Sequence, residues 1–202
     1  MRAAGASERR RSPRAEPSAG SKRQALVLAA YRELAERGFE GLRTREIAGA
    51  VGVNVATLHY YFPTKEDLIR AVVGHAMSRF QSTLVSEGTT IARLRGHFRG
   101  LRRLAHDEPE LFRVMAELMI RSARDAKIAE IIRKMQEFWH STLRALLRSA
   151  REEGALPKDI DPDGMSAVIV ATLKGVYLLP QRSAPPELDK ALRQLEQTLG
   201  LR

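Results

Sequence analysis

The sequence predicts an all-α protein, and three observations carry that prediction. From Ser21 onward, apolar residues recur at three- and four-residue spacing. No stretch alternates apolar and polar residues for the length of a strand, and no internal repeat is present. Capping residues or prolines ahead of the apolar periods, and glycines behind several of them, punctuate the chain at helical intervals. The 202 residues suffice for one or two domains and for a core that needs no covalent staple. The chain has no cysteine, which excludes thiol catalysis, a disulfide framework and Cys-based metal centres and agrees with a reducing compartment.

Taken in order, residues 1–20 hold two prolines and an arginine triplet and almost nothing large and apolar. Such a segment buries too little surface to offset its ordering entropy, and it is predicted to be a disordered basic arm. It lacks the apolar run of a secretory signal. Leu26, Ala29, Ala30, Leu34 and Ala35 mark the first helix, with Ser21 as its cap and Gly38 at its end. After the turn at Gly38-Phe39-Glu40-Gly41, Thr44 is expected to cap a short helix whose inner side is Ile47, Ala48 and Val51. Gly52 interrupts it, and Asn54 offers a second cap before Val55 to Tyr61. Pro63 stops that helix, and Thr64 opens another, with Glu66 and Asp67 in the first turn, where the helix dipole favours carboxylates. Six helices are predicted near 65–86, 89–105, 109–121, 124–153, 162–179 and 187–199. The longest uncharged apolar run, Gly164 to Leu173, is half of the roughly 20 residues that a membrane-spanning helix requires, so a soluble protein without a membrane partner is expected.

Two short helices around a glycine-containing turn have the spacing of a helix-turn-helix, over about 43–62. On the second, Leu58 and Phe62 fall on one face and leave Val55, Ala56, His59 and Tyr60 outward, with Tyr61 joining Phe62 in the core. A helix with small groups at its start and hydrogen-bonding aromatics behind them can enter a major groove closely. Val55 and Ala56 cannot make bidentate bonds to bases, so the sequence predicts sparse base contacts, with DNA shape and half-site spacing adding specificity.

From Ser21 to about Phe80, the run LVLAAYRELAERGFEGLRTREIAGAVGVNVATLHYYFPTKEDLI resembles the TetR family of bacterial transcriptional regulators. The helix-glycine-Phe turn, the threonine opening helix two, the Gly-Val turn, the Thr-Leu pair before the aromatics and the Phe-x-x-Lys-x-x-Leu run occur in the family's order. The resemblance implies a DNA-binding domain at 21–67 and a helical effector-binding and dimerisation domain at 68–202. It implies that Thr44 presents a helix N-terminus to a phosphate beside Arg43 and Arg45, that Thr57, His59 and Tyr60 contact the backbone, and that Lys65 clamps another phosphate. Asn54, Val55 and Ala56 would then lie nearest the base edges. His59 stands where many members carry tyrosine. The implied function is a ligand-responsive repressor, cytoplasmic and nucleoid-associated, that binds a near-palindromic double-stranded DNA operator as a homodimer. An alternative is a DNA-binding regulator controlled by a protein partner, or an architectural protein, with no small-molecule switch.

In the carboxy-terminal region, the helix opened by Asp161-Pro162-Asp163 is apolar on most sides, and Val168, Ile169, Leu173 and Val176 are assigned to a dimer interface. The stripe Leu188, Leu192, Leu195 and Leu199 is assigned to the same interface, with ordinary core packing as the other meaning of both. Phe80, Phe98, Phe112, Met115, Met119, Met135, Phe138, Trp139 and Tyr177 are the candidate lining of a largely apolar effector pocket, or else the filling of a normal core.

The net charge is +10. Residues 1–23 carry an excess of about five positive charges, residues 24–63 are neutral, and segment 88–106 holds five arginines and no acid. That segment is expected to be a solvated helix face, with an anionic effector or a second DNA contact as alternatives. The five histidines show no metal-ligand spacing, and no nucleophile elbow or phosphate loop is present. No enzymatic activity, metal or cofactor is expected.

Overall fold

A computed structural model describes residues 19–84, 87–177 and 186–201. The predicted arm, apart from its last two residues, lies outside the described residues, as do positions 178 and 179 of the predicted eighth helix. Nine α-helices and no strand are found among the described residues: α1 Ala19–Arg37, α2 Thr44–Val51, α3 Val55–Tyr61, α4 Lys65–Gln81, α5 Thr90–Asp107, α6 Pro109–Ser122, α7 Ala126–Glu152, α8 Pro162–Tyr177 and α9 Pro186–Thr198. A 3₁₀ turn, Phe39–Gly41, follows α1.

Local chemistry sets most boundaries. Thr64 and Asp67 form a reciprocal capping box at the start of α4. Asp125 caps α7 by accepting the N–H groups of Lys127 and Ile128. The α4 helix ends at Gln81, about five residues before the predicted limit, where the hydroxyls of Ser82 and Thr83 donate back to the carbonyls of Arg79 and Phe80. Two expected caps are corrected. Helix α1 begins before Ser21, which therefore lies inside its first turn. Arg43 occupies the cap position of α2 without a side-chain hydrogen bond, and Thr44 is the first helical residue.

One continuous core joins the two ends of the molecule. Leu26 and Leu34 of α1, Ile47 of α2, Leu58 of α3 and Leu68 of α4 fill the amino-terminal end. At the far end of α4, Phe80 meets Phe112 of α6 and Trp139 of α7 edge-on, at 6.0 and 5.4 Å between ring centroids. Helix α4 therefore belongs to both ends.

The dimer assignment of α9 is corrected. Leu188, Leu192, Leu195 and Leu199 are all buried within the chain, where α9 packs on α5 and α8. Ile169 and Leu173 of α8 are likewise interior, whereas Val168 is 49% exposed. The side chain of Val176 lies outside the described residues. Burial of these four leucines holds α9 against its own chain, and the arginine-rich face of α5 adds polar contacts to it. Arg102 grips Glu196 with two hydrogen bonds, at 2.7 and 3.0 Å, and Arg95 donates to the carbonyl of Leu201. Arg99 and Arg103 face solvent. The expected solvated face is thus partly an internal clamp.

Candidate functional site

The turn between α2 and α3 is tight because Gly52 adopts a left-handed conformation (φ 74°, ψ 29°) that disfavours any residue with a Cβ. Its N–H reaches the carbonyls of Ala48 and Gly49, and Val53 N–H returns to Ala48 O at 3.0 Å. Asn54 then caps α3: its Oδ1 accepts the Thr57 N–H at 2.8 Å and the Thr57 hydroxyl at 2.9 Å. One carboxamide oxygen therefore holds both the helix start and the Thr57 side chain, leaving the Asn54 amide hydrogens available as donors.

Leu58 and Phe62 anchor the inner face of α3, each 1% exposed. Ala56, His59 and Tyr60 face solvent, and Tyr60 is 81% exposed. Its ring meets that of Tyr61 edge-on at 5.1 Å, which stiffens a side chain otherwise free in water. Two expectations are corrected here. Val55, expected outward, is half-buried and packs against the core. Tyr61, expected in the core, is half-buried and packs against the core from its edge.

The flanking cations differ in how they are held. Arg43 and Arg45 are both exposed; Arg43 lies 3.7 Å from Glu46, and Arg45 has no ion pair among the described residues. Thr44 is half-buried beside them. Lys65, exposed at the start of α4, rests its ammonium 4.2 Å from the ring centroid of Phe39, and partial desolvation there draws its pKa below the usual lysine value. Arg23 of α1 lies over the Phe62 ring at 5.0 Å, a basic group beside α3 that spacing alone does not reveal.

Helix α6 ties this unit to the rest of the protein. The Glu117 carboxylate accepts the Phe39 N–H at 3.2 Å, Arg113 donates to Ala35 O at 3.3 Å, and the Arg121 guanidinium lies 4.4 Å from the Phe39 ring centroid. Lys127 of α7 adds a bond to Glu66 at 3.1 Å.

Behind α6, a cavity of about 30 Å³ lies among α4, α6, α7 and α8. Of the nine candidate pocket residues, Phe80, Met119, Met135 and Trp139 line it. Phe98, Phe112 and Met115 are fully buried core that does not reach it, and Phe138 points away from the bundle at 49% exposure. The Tyr177 side chain lies outside the described residues. Sequence reasoning missed Met77, Gln136, Val170 and Lys174, and it gave Leu173, another wall residue, to the dimer. The signal for Lys174 was present: it is the lone charge that closes the apolar run of α8. No group of three metal-ligating side chains is found among the described residues, and no helix there is long and apolar enough to cross a membrane.

Comparison with known proteins agrees with this arrangement. Residues 26–72 match Bacterial regulatory proteins, tetR family, and residues 90–200 match BetI-type transcriptional repressor, C-terminal. The chain is 26% identical over 164 residues to the nucleoid occlusion factor SlmA of Haemophilus influenzae, covering 78% of this chain and 73% of that protein. It is 25% identical over 177 residues to the HTH-type transcriptional regulator BetI of Rhizobium meliloti, covering 87% and 86%. Among solved structures, a TetR transcription regulator from Haloarcula marismortui superposes with a TM-score of 0.77 at 22% identity, covering 90% of this chain and 97% of that one. A transcriptional regulator from Saccharomonospora viridis in complex with choline gives 0.70 at 23% identity, covering 90% and 96%. With its helix-turn-helix at the amino terminus and a second match spanning more than half of its length, the chain belongs to the TetR family of bacterial DNA-binding transcriptional regulators.

Proposed function

We propose that the protein is a ligand-responsive repressor that binds a near-palindromic operator as a homodimer in the bacterial cytoplasm. The observation that carries the reading is α3 itself, a capped helix that turns Ala56, His59 and Tyr60 to solvent while Leu58 and Phe62 fix it to the core. In this reading α3 enters the major groove, with Ala56 and Val55 close to the bases and the Asn54 amide as a donor to a base edge. His59, Tyr60 and Thr57 contact the sugar-phosphate backbone. Arg43 and Arg45 flank the phosphate that faces the N-terminus of α2 at Thr44. Lys65 exchanges its aromatic contact for a phosphate.

Two copies would place their α3 helices in successive major grooves, about 34–36 Å apart. The face available for pairing is the outer side of α8, where Gly164, Ala167, Val168, Ala171 and Gly175 are exposed. A ligand that expands the cavity beside α6 would move Glu117, Arg113 and Arg121, and with them the turn that orients the helix-turn-helix. That differential contact is what linkage requires of an effector.

The test is binding to DNA fragments selected by the protein from genomic DNA. Lys65→Ala should weaken affinity for all sequences and lower the salt slope by about one. Tyr60→Ala should weaken affinity without altering that slope, since the phenol carries no charge. Unchanged affinity in both variants refutes the assignment. The similarity to nucleoid occlusion factors supports a second reading, control by a protein partner without a small-molecule switch. An effector must raise thermal stability and lower operator affinity together; a protein partner leaves the isolated repressor insensitive to small molecules.

A further inference from the structure

The cavity among α4, α6, α7 and α8 is walled by apolar side chains and three polar ones, Trp139, Gln136 and Lys174. The hydrogen-bonding state of those three defines what would complement it. Trp139 is 7% exposed, and its indole nitrogen, a donor only, is buried without a partner. Lys174 donates to Gln136 Oε1 at 3.1 Å and forms no ion pair among the described residues, so its ammonium keeps spare donors and an uncompensated charge. Gln136 has its oxygen engaged by that lysine, and its amide donates to Met119 Sδ at 3.2 Å, a weak acceptor that a ligand oxygen can displace. The polar lining therefore presents donors and one positive charge. No aspartate or glutamate lines the cavity.

We infer that the cavity takes an amphipathic monocarboxylate, an alkyl or aryl carboxylic acid in its anionic form. Its acceptor-only head complements Lys174 and the Trp139 N–H, and its apolar body lies against the methionines. The inference rests on the reading of the helical body as an effector domain. A quaternary ammonium, the class of ligand bound by the Saccharomonospora viridis regulator, is disfavoured here. It would meet the Lys174 charge with no acid in the cavity lining to balance it. The Trp139 ring is also engaged by the rings of Phe80 and His97, each at 5.4 Å between centroids, which limits its use as a cation-binding wall. At about 30 Å³ the cavity has the space of a water molecule or two. Met77, Met119 and Met135 are the walls that must part, and methionine, with its unbranched flexible chain, is the side chain best able to do so.

Trp139 is the chain's single tryptophan, so intrinsic fluorescence reports on this wall alone. The full-length protein is titrated with octanoate, octanol and octyltrimethylammonium, which share one apolar body and differ in the head. Octanoate should give a saturable change in emission at least tenfold tighter than either analogue. Lys174→Met should weaken octanoate at least tenfold and leave octanol within twofold, while Lys174→Arg retains octanoate binding; circular dichroism checks that both variants fold. Octyltrimethylammonium binding as tightly as octanoate, octanoate affinity independent of Lys174, or no saturation with octanoate overturns the inference. Lys174-dependent octanoate binding that leaves affinity for the selected genomic DNA unchanged upholds the site and removes ligand-responsive repression instead.

Discussion

Glu117 and Phe39 lie 78 residues apart, yet the Glu117 carboxylate accepts the Phe39 backbone N–H at 3.2 Å and so fastens α6 to the turn that launches the helix-turn-helix. The approach requires Gly38 beside it. That residue has φ 68°, and a Cβ added there would sit 2.9 Å from Glu117 Oε2. Glu117→Ala leaves a half-buried N–H unpartnered and should lower stability by about 1–2 kcal/mol in urea unfolding. Exchange of the Phe39 amide hydrogen should accelerate in the same variant, and Glu117→Gln, which keeps an acceptor, should restore most of both. An unaltered urea midpoint in Glu117→Ala would mean that the contact contributes nothing.

The clamp between α5 and α9 makes a second prediction. Arg102 is 26% exposed and Glu196 13%, and their paired hydrogen bonds raise the pKa of the arginine. Removing one partner of a largely buried pair leaves the other charge unpaired, so Arg102→Ala should cost about 2–3 kcal/mol. The double variant Arg102→Ala with Glu196→Ala should recover part of that loss, because no isolated carboxylate is left behind. Additive losses in the double-mutant cycle would show that the pair is not coupled.

What the sequence made legible was local, and what it hid was pairing at a distance. The box of Thr64 and Asp67 and the cap on Asn54 depend on residues three apart, and spacing identifies them directly. The inner face of α3 follows from Leu58 and Phe62 at one-turn separation. The stripe from Leu188 to Leu199 was equally legible as an apolar face, but periodicity does not say what covers a face. Here the cover is α5 and α8, and α5 adds polar contacts from arginines about a hundred residues earlier in the chain. The contact of Lys65 with Phe39 and that of Glu117 with Phe39 are hidden for the same reason. The cavity was partly legible: bulky side chains marked the right helices, while the polar residues that give it chemistry, Gln136 and Lys174, do not stand out from a helical pattern.

Burial of His97 makes stability depend on pH. The Thr83 hydroxyl donates to Phe80 O at 2.6 Å, so the proton between Thr83 and His97 belongs to Nδ1, and Nε2 is left as a buried lone pair without a partner. Burial pushes the imidazole pKa down to about 4 from an ordinary 6.5. Above pH 6.5 this histidine is neutral in both folded and unfolded chains and adds no pH dependence. Between pH 6.5 and about 4 the unfolded chain takes up the proton and the folded one does not, so stability falls as pH falls. From pH 7 to 4.5 the loss from this residue should be about 2–3 kcal/mol. His97→Asn, which cannot titrate, should show a shallower acid limb by that amount in urea unfolding at the two pH values. Carboxylates common to both proteins cancel in the comparison, and identical limbs would exclude His97 as the source.

The outer face of α8 carries the final prediction. Val168 is 49% exposed in the protomer, and its exposed neighbours on that side, Ala167, Ala171 and Gly175, are small enough to let a second helix approach closely. Val168→Glu places a charge on this face without touching the protomer core, so the helical circular dichroism spectrum should persist. If two copies pair here, the two carboxylates are buried against each other's apolar side chains, and sedimentation velocity at micromolar concentration should find a monomer. Operator affinity should fall at least tenfold with it, since a monomer presents one α3 helix to one half-site. Leu192→Glu serves as the contrast: that side chain is fully buried against α5 and α8, and the same charge there should unfold the carboxy-terminal bundle before any question of pairing arises. A Val168→Glu protein that sediments as a dimer would place the subunit contact elsewhere on the molecule.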